Sequence, residues 1–336
     1  MHERLPLLHG RSFAKRWLRP AATLAFCLVS AQSFAADKVT FLTSWFAQAE
    51  HGGFYMAQAE GLYKKAGLDV TIKMGGPQVN AMQLMLGGET DFMMGYDIQV
   101  LKALEQGIQV TTVAASFQSD LQGIMTHDNI KSLADLKGHP ILIAASSHLT
   151  FWPWLKKRFG YTESQARPYT FNLQPFFADP QVAQQAYPSS EPYAAEKHGI
   201  KVKFFQFAKY GYPAYGTTIV GTKAFIDKHP GITARFVKAS MQGWVDYLKN
   251  PAPANALIKA ANPKMTDDQL AFAVNKLKEM NVVEGGDAAT KGVGIMSEAR
   301  WKATRDFLVK AGLLKANVDW KAAYTNRFVK GLRIGM

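Results

Sequence analysis

The chain has 336 residues, 48% of them hydrophobic and 19% charged, with a formal net charge of +13. That length suits about two domains of ~150 residues, and the apolar share excludes a disordered or fibrous chain. Its 27 glycines and 15 prolines follow no triplet period, and no uninterrupted apolar stretch reaches the ~20 residues that cross a bilayer, which excludes a multispan membrane protein.

Residues 1–35 read as an export signal. Arg4, Arg11, Lys15, Arg16 and Arg19 precede an apolar run from Ala21 to Ala31, and Ser33-Phe34-Ala35 offers a small-residue cleavage site before Ala36. The run is too short to span a membrane. Cleavage leaves 34 basic and 25 acidic residues, a net charge of +9. That charge is spread out, with no basic run or stripe of interleaved aromatics, so a nucleic-acid partner is not expected. The single cysteine, Cys27, lies inside the signal, with bulky Phe26 before it where a lipoprotein signal carries a small residue. The mature chain is therefore expected to lack disulfides, thiolate metal sites and a cysteine nucleophile.

Strand and helix patterns then alternate. Val39–Thr43 reads as a strand, and Tyr55, Ala59, Leu62 and Ala66 form the stripe of a helix ending at Gly67. Leu68, Val70, Ile72 and Met74 alternate as a second strand. Gly75-Gly76-Pro77 opens a helix through Met82 and Leu86, 91–95 is a third strand, and a helix over 100–106 leads into a strand over 110–115. That order is the mark of a parallel sheet covered by helices. A second cycle has strand 141–145, helix 150–159, a helix near 179–187 and strand 202–207. Beyond strand 217–221 the pattern is helical over 223–229, 231–249, 252–261, 266–280 and 297–311, with Pro230, Pro251 and Pro263 as breaks.

Candidate site residues gather where strands run into helices, because ligands of open α/β sheets sit outside the carboxyl ends of strands. Trp45 and His51 fall in the first such segment, although a core Trp and a capping His would read the same way. Gly75-Gly76 either lets backbone N–H groups approach a ligand or serves a tight turn. Tyr96 offers a stacking face and Asp97 an acceptor, or an ordinary N-cap. In the second unit, Ser147, His148 and Trp152 share one segment. Tyr187 and Glu191 share the next, and Tyr212 and Tyr215 lie on a later turn whose rings suit a stacking partner. No G-x-S-x-G, H-E-x-x-H, P-loop or post-strand G-x-G-x-x-G is present, and the six mature histidines are scattered. A binding protein is expected rather than an enzyme, with no catalytic residue, cofactor or metal.

The run from Trp45 to Val70, containing H-G-G-F-Y-M-A-Q-A-E-G-L-Y-K-K-A-G-L-D-V, resembles the opening of periplasmic substrate-binding proteins of the nitrate/sulfonate/taurine transporter class. Within that class it is most similar to the group that binds thiamine-pyrimidine precursors. Gly87–Phe92, Leu133–Gly138, Ser190-Glu191-Pro192, Ala224-Phe225-Ile226 and His229-Pro230 support the resemblance, which covers roughly 39–310.

The resemblance implies an α/β fold of two lobes, each a mostly parallel sheet covered by helices, with the ligand cleft between them. Lobe 1 would be 37–122 plus 223–336 and lobe 2 127–218, with hinge crossings at 122–126 and 218–222. It further implies a periplasmic monomer that hands a small heterocyclic or aromatic solute to an ABC permease in the inner membrane, with sulfonate, taurine, nitrate or aromatic carboxylate as the other ligands of the class. By position, Trp45 and Tyr96 or Tyr187 would stack on the ring, Asp97 and Glu191 would accept its hydrogens, and His51 and Gln118 would complete the polar edge. A related fungal enzyme makes the pyrimidine from pyridoxal phosphate and its own histidine. Its cysteine-rich iron-binding motif is missing here.

Overall fold

A computed structural model describes residues 35–335; the expected export signal, apart from Ala35, and Cys27 lie outside them. The strands are β1 (Asp37–Leu42), β2 (Leu68–Lys73), β3 (Phe92–Gly95), β4 (Val110–Phe117) and β5 (Gly123–His127), then β6 (Ile141–Ile143), β7 (Ala166–Pro168), β8 (Ala183–Ala186), β9 (Val202–Gln206) and β10 (Gly216–Thr222). They form two five-stranded sheets, ordered β2-β1-β3-β10-β4 and β7-β6-β8-β5-β9.

In the first sheet β1 is parallel to β2 and β3, while β10 enters antiparallel between β3 and β4. The expected run of parallel strands is thus split by a strand from much later in the chain. In the second sheet β6 is parallel to β7 and β8, and β5 is antiparallel to β8 and β9. The chain passes between sheets over 118–122 and returns over 207–215. The expected crossings at 122–126 and 218–222 therefore fall mostly inside β5 and β10, which are already paired.

Two further expectations are corrected. The helix drawn from Tyr55 to Ala66 is two helices, Gly52–Ala59 and Leu62–Lys65, because Gly61 adopts a left-handed φ of 67° that no continuous helix holds. The helix near 179–187 is strand β8, preceded by helix Gln174–Ala178. Its Ala-Gln-Gln-Ala sequence favours helix by propensity, and pairing with β5 and β6 on both sides overrides that preference.

The first core is aromatic. Phe41 and Phe54 lie 4.4 Å apart, and Phe92 stacks on Phe236 at 4.9 Å and 7°. Helix Gly52–Ala59 lies tight against the long helix Pro230–Lys249: a Cβ on Gly53 would meet the Trp244 ring at 2.2 Å, and one on Gly243 would meet the Gly53 carbonyl at 2.2 Å. The two glycines that follow His51 thus let two helix backbones approach. This contact fixes the helix that begins one residue after His51.

Candidate ligand-binding cleft

The parallel strands of both sheets end toward the same space. From the first sheet, the turn after β1 carries Trp45 and Glu50, and the turn after β3 carries Tyr96. From the second, the turn after β6 carries Ser147, and the turn after β8 carries Tyr187 and Glu191. All six line one cleft of about 370 Å³. Small-molecule sites range over ~300–1,000 Å³. Local bonds hold the first turn: the Thr43 hydroxyl donates to the Trp45 carbonyl at 2.7 Å and accepts from Gly75 N–H at 3.1 Å, and Asn262 donates to the Ala47 carbonyl at 2.9 Å. A Cβ on Gly75 would stand 2.1 Å from the Thr43 carbonyl oxygen, so this glycine serves the close turn.

Groups of the two sheets touch across the cleft. Tyr96 Oη lies 2.5 Å from Tyr187 Oη, and Trp45 stacks on Tyr169 with centroids 5.8 Å apart and planes at 28°. Ser189 donates to Glu50 Oε1, and Ala145 N–H donates to the Pro77 carbonyl at 2.9 Å. These contacts hold the cleft closed.

The walls pair aromatic rings with buried acids. Glu50 is 1% exposed, and burial pushes its carboxyl up to about 7 in spite of the Ser189 bond. Burial likewise raises Glu191, whose Oε1 accepts from Tyr169 Oη and Oε2 from Tyr187 N–H, each at 2.9 Å. Burial lowers His51 to about 3, which leaves a neutral imidazole, and its Nδ1 and the Gln48 Oε1 have no protein partner among the described residues. Gln122 gives its amide nitrogen to Asp120 at 3.0 Å, which leaves its carbonyl oxygen to accept. Gln185 Oε1 accepts from Ala144 N–H and the Ser147 hydroxyl, both at 2.6 Å, which leaves its amide hydrogens to donate. Among the described residues the only Lys or Arg in the walls is Lys102, paired with Glu105 and bonded to the Leu313 carbonyl at 2.8 Å.

Of the residues singled out in the sequence, Trp45, His51, Tyr96, Ser147, His148, Tyr187 and Glu191 line this cleft. His148 is exposed and lies 3.0 Å from Glu163. Asp97, Gln118, Trp152 and Tyr215 are turned into the interior instead. Asp97 is fully buried and accepts from Ile98 N–H at 2.9 Å, Tyr215 N–H at 3.2 Å and the Thr304 hydroxyl at 3.0 Å. Gln118 donates to the Ile295 carbonyl at 2.9 Å, and Trp152 donates to Glu163 at 3.2 Å. The Tyr215 hydroxyl accepts from Ser297 N–H at 2.9 Å while Arg300 caps its ring at 4.0 Å. Tyr212 is also buried in the core. Glu50, Gln48, Gln122 and Gln185 are cleft groups that sequence reasoning missed. Glu50 stood inside the Trp45–His51 segment, and its place on a strand-end turn was the signal available.

Two α/β sheets facing each other across a cleft make the periplasmic binding protein fold. In the alkanesulfonate-binding protein of Xanthomonas axonopodis pv. citri, solved with MOPS bound, the same fold superposes with a TM-score of 0.62 at 15% identity, over 87% of this chain and 99% of that one. The chain belongs to the NMT1/THI5-like family, whose model matches residues 48–254. It is 26% identical to the riboflavin-binding protein of Chloroflexus aurantiacus, over 88% of this chain and 87% of that protein. It is 24% identical to the formylaminopyrimidine-binding protein of Halalkalibacterium halodurans, over 82% and 87%. The 4-amino-5-hydroxymethyl-2-methylpyrimidine phosphate synthase of Aspergillus parasiticus matches over 27% of each chain.

Proposed function

We propose that this protein is the exported solute-binding component of an ABC importer, and that it captures a flat, uncharged nitrogen heterocycle of the pyrimidine or flavin kind for delivery to the permease. The observation that carries this reading is the make-up of the cleft: Trp45, Tyr96 and Tyr187 supply ring faces, and Glu50 and Glu191 supply buried acceptors. Stacking with a few directed hydrogen bonds orients a heterocycle without burying an unpaired charge. A thiamine pyrimidine precursor and riboflavin both answer that description, and the two relatives matched over most of their length are named for such ligands.

A sulfonate or nitrate needs cationic side chains or clustered N–H donors around its oxygens. Among the described residues the walls hold two buried carboxyls and no buried cation, so that counter-charge is missing. The two relatives matched over most of their length are named as binding proteins, which supports capture of the solute rather than its conversion.

The test is thermal unfolding of residues 36–336 against formylaminopyrimidine, hydroxymethylpyrimidine, thiamine, riboflavin, taurine, an alkanesulfonate and nitrate. A ligand at 100 times its Kd adds about 2.7 kcal/mol, which raises Tm by a few degrees. A shift with heterocycles alone that Trp45→Ala abolishes supports the reading. A shift with sulfonate or nitrate alone overturns it.

A further inference from the structure

The cleft extends beyond the rings and carboxyls just described. From Tyr96 it continues along one face of the helix Asp97–Glu105, past Gln99 and Ala103 to Gln106, and Thr150, Phe151 and Leu313 also line it. The span from Tyr96 to Gln106 is about 15 Å at 1.5 Å per residue. A single six-membered ring held between Trp45, Tyr96 and Tyr187 reaches only the near end of it. The corridor is not lined like the ring site. Ala103 and Phe151 give it an apolar wall, while Gln106, Thr150 and the amide nitrogen of Gln99, whose oxygen accepts from Tyr96 N–H at 3.2 Å, give it polar groups.

We propose that the cleft takes a ligand in two parts, a flat heterocycle at the Trp45–Tyr187 end and a flexible hydroxylated chain laid along the Gln99–Gln106 face of this helix. The inference rests on the heterocycle reading above and narrows it, favouring a ring that carries a polyol chain over a bare pyrimidine. Apolar contact accommodates the carbons of such a chain, and the spaced amides meet its hydroxyls. The far end of the corridor, where Lys102 is already committed to Glu105 and Leu313, offers no free cation for a terminal phosphate.

The experiment compares riboflavin with lumiflavin, the same ring with methyl in place of the ribityl chain, by quenching of flavin fluorescence on titration with residues 36–336. Formylaminopyrimidine is titrated in parallel by calorimetry. Riboflavin is expected to bind at least tenfold tighter than lumiflavin. Gln106→Trp and Ala103→Leu, which fill the corridor, are expected to weaken riboflavin at least tenfold and leave lumiflavin unchanged. Equal affinity for the two flavins, or an unchanged riboflavin affinity in both variants, overturns the chain subsite. So does an equal loss of both flavins in each variant, which marks general damage rather than a chain contact. Binding of formylaminopyrimidine with neither flavin overturns the two-part ligand and leaves the heterocycle reading standing. Binding of no heterocycle at all overturns both.

Discussion

Tyr96 and Tyr187 bring their hydroxyl oxygens to 2.5 Å, and through that bond the carboxyl end of β3 is joined to the carboxyl end of β8. Each tyrosine belongs to a different sheet, so the bond exists only while the cleft is shut. A ligand that favours the shut form shares its binding energy with this contact. Tyr96→Phe keeps the ring face and removes one partly buried hydrogen bond, worth about 1 kcal/mol. The expected result is a roughly fivefold weaker Kd in a ligand titration. An unchanged Kd would show that the bond contributes nothing to closure.

Acidity is expected to stabilise this protein. Burial raises Glu50 and Asp120 to about 7 and Asp97 to about 6. The native state therefore holds protons that the unfolded chain releases above about pH 4–4.5. A raised carboxyl contributes stability that is full below its unfolded pKa and is lost as pH climbs through its folded value. Tm should fall between pH 5 and pH 8, and Glu50→Gln should flatten that slope. The lowered carboxyls Glu105, Glu163, Asp287 and Asp306 act in the opposite direction only below about pH 4.5, while His51, held neutral by burial, does so up to its unfolded value of about 6.5, where the three raised carboxyls outweigh it. A Tm that rises from pH 5 to pH 8 would contradict the assignment.

Asp97→Ala separates support from recognition. It strips the carboxylate that three buried or partly buried donors share, so Tyr215 N–H and the Thr304 hydroxyl lose their acceptor. A loss of about 2–4 kcal/mol in urea unfolding is expected. Ligand affinity at a temperature where the variant is folded should stay unchanged, because the side chain does not reach the cleft.

Gly243→Ala and Gly231→Ala, on the same helix, should part company. The first places a methyl 2.2 Å from the Gly53 carbonyl, while the second meets nothing within 4 Å. Overpacking of the first is expected to cost 1–3 kcal/mol or more. The second should be neutral or stabilising by roughly 0.5–1 kcal/mol. Similar unfolding midpoints for the two variants would deny that glycines set the helix spacing.

Much of the fold was legible because burial writes a period into the sequence. The helices Pro230–Lys249, Ala252–Ala261 and Asp267–Glu279 lie within a residue or two of their expected bounds, since prolines mark their starts or the gaps between them and each buries one stripe. Strand β8 was illegible for the converse reason: Ala183-Gln184-Gln185-Ala186 has neither alternation nor β-branched residues, and its neighbours in space make it a strand. The cleft divided on a finer scale. Tyr96 and Asp97 are adjacent, and a single step at the start of a helix turns the ring to the cleft and the carboxyl to the interior. Sequence proximity carries no information about that rotation. Glu50 escaped notice because the 3-10 turn Ala49–His51 is too short for any periodicity to show which side faces inward.

Strand β10 has a consequence for how the chain comes into being. The sheet that begins at Asp37 has a gap between β3 and β4 that only residues 216–222 can fill. Nothing made before residue 222 can complete that half, and the second sheet is formed by the segment looped out between. The first half therefore gains its stability late, through pairings about a hundred residues apart in sequence, a topology that folds slowly, whereas the second sheet is complete by Gln206 and does not wait for it. For the export proposed above such lateness is useful, because a polypeptide threaded unfolded through a membrane must not complete its fold first.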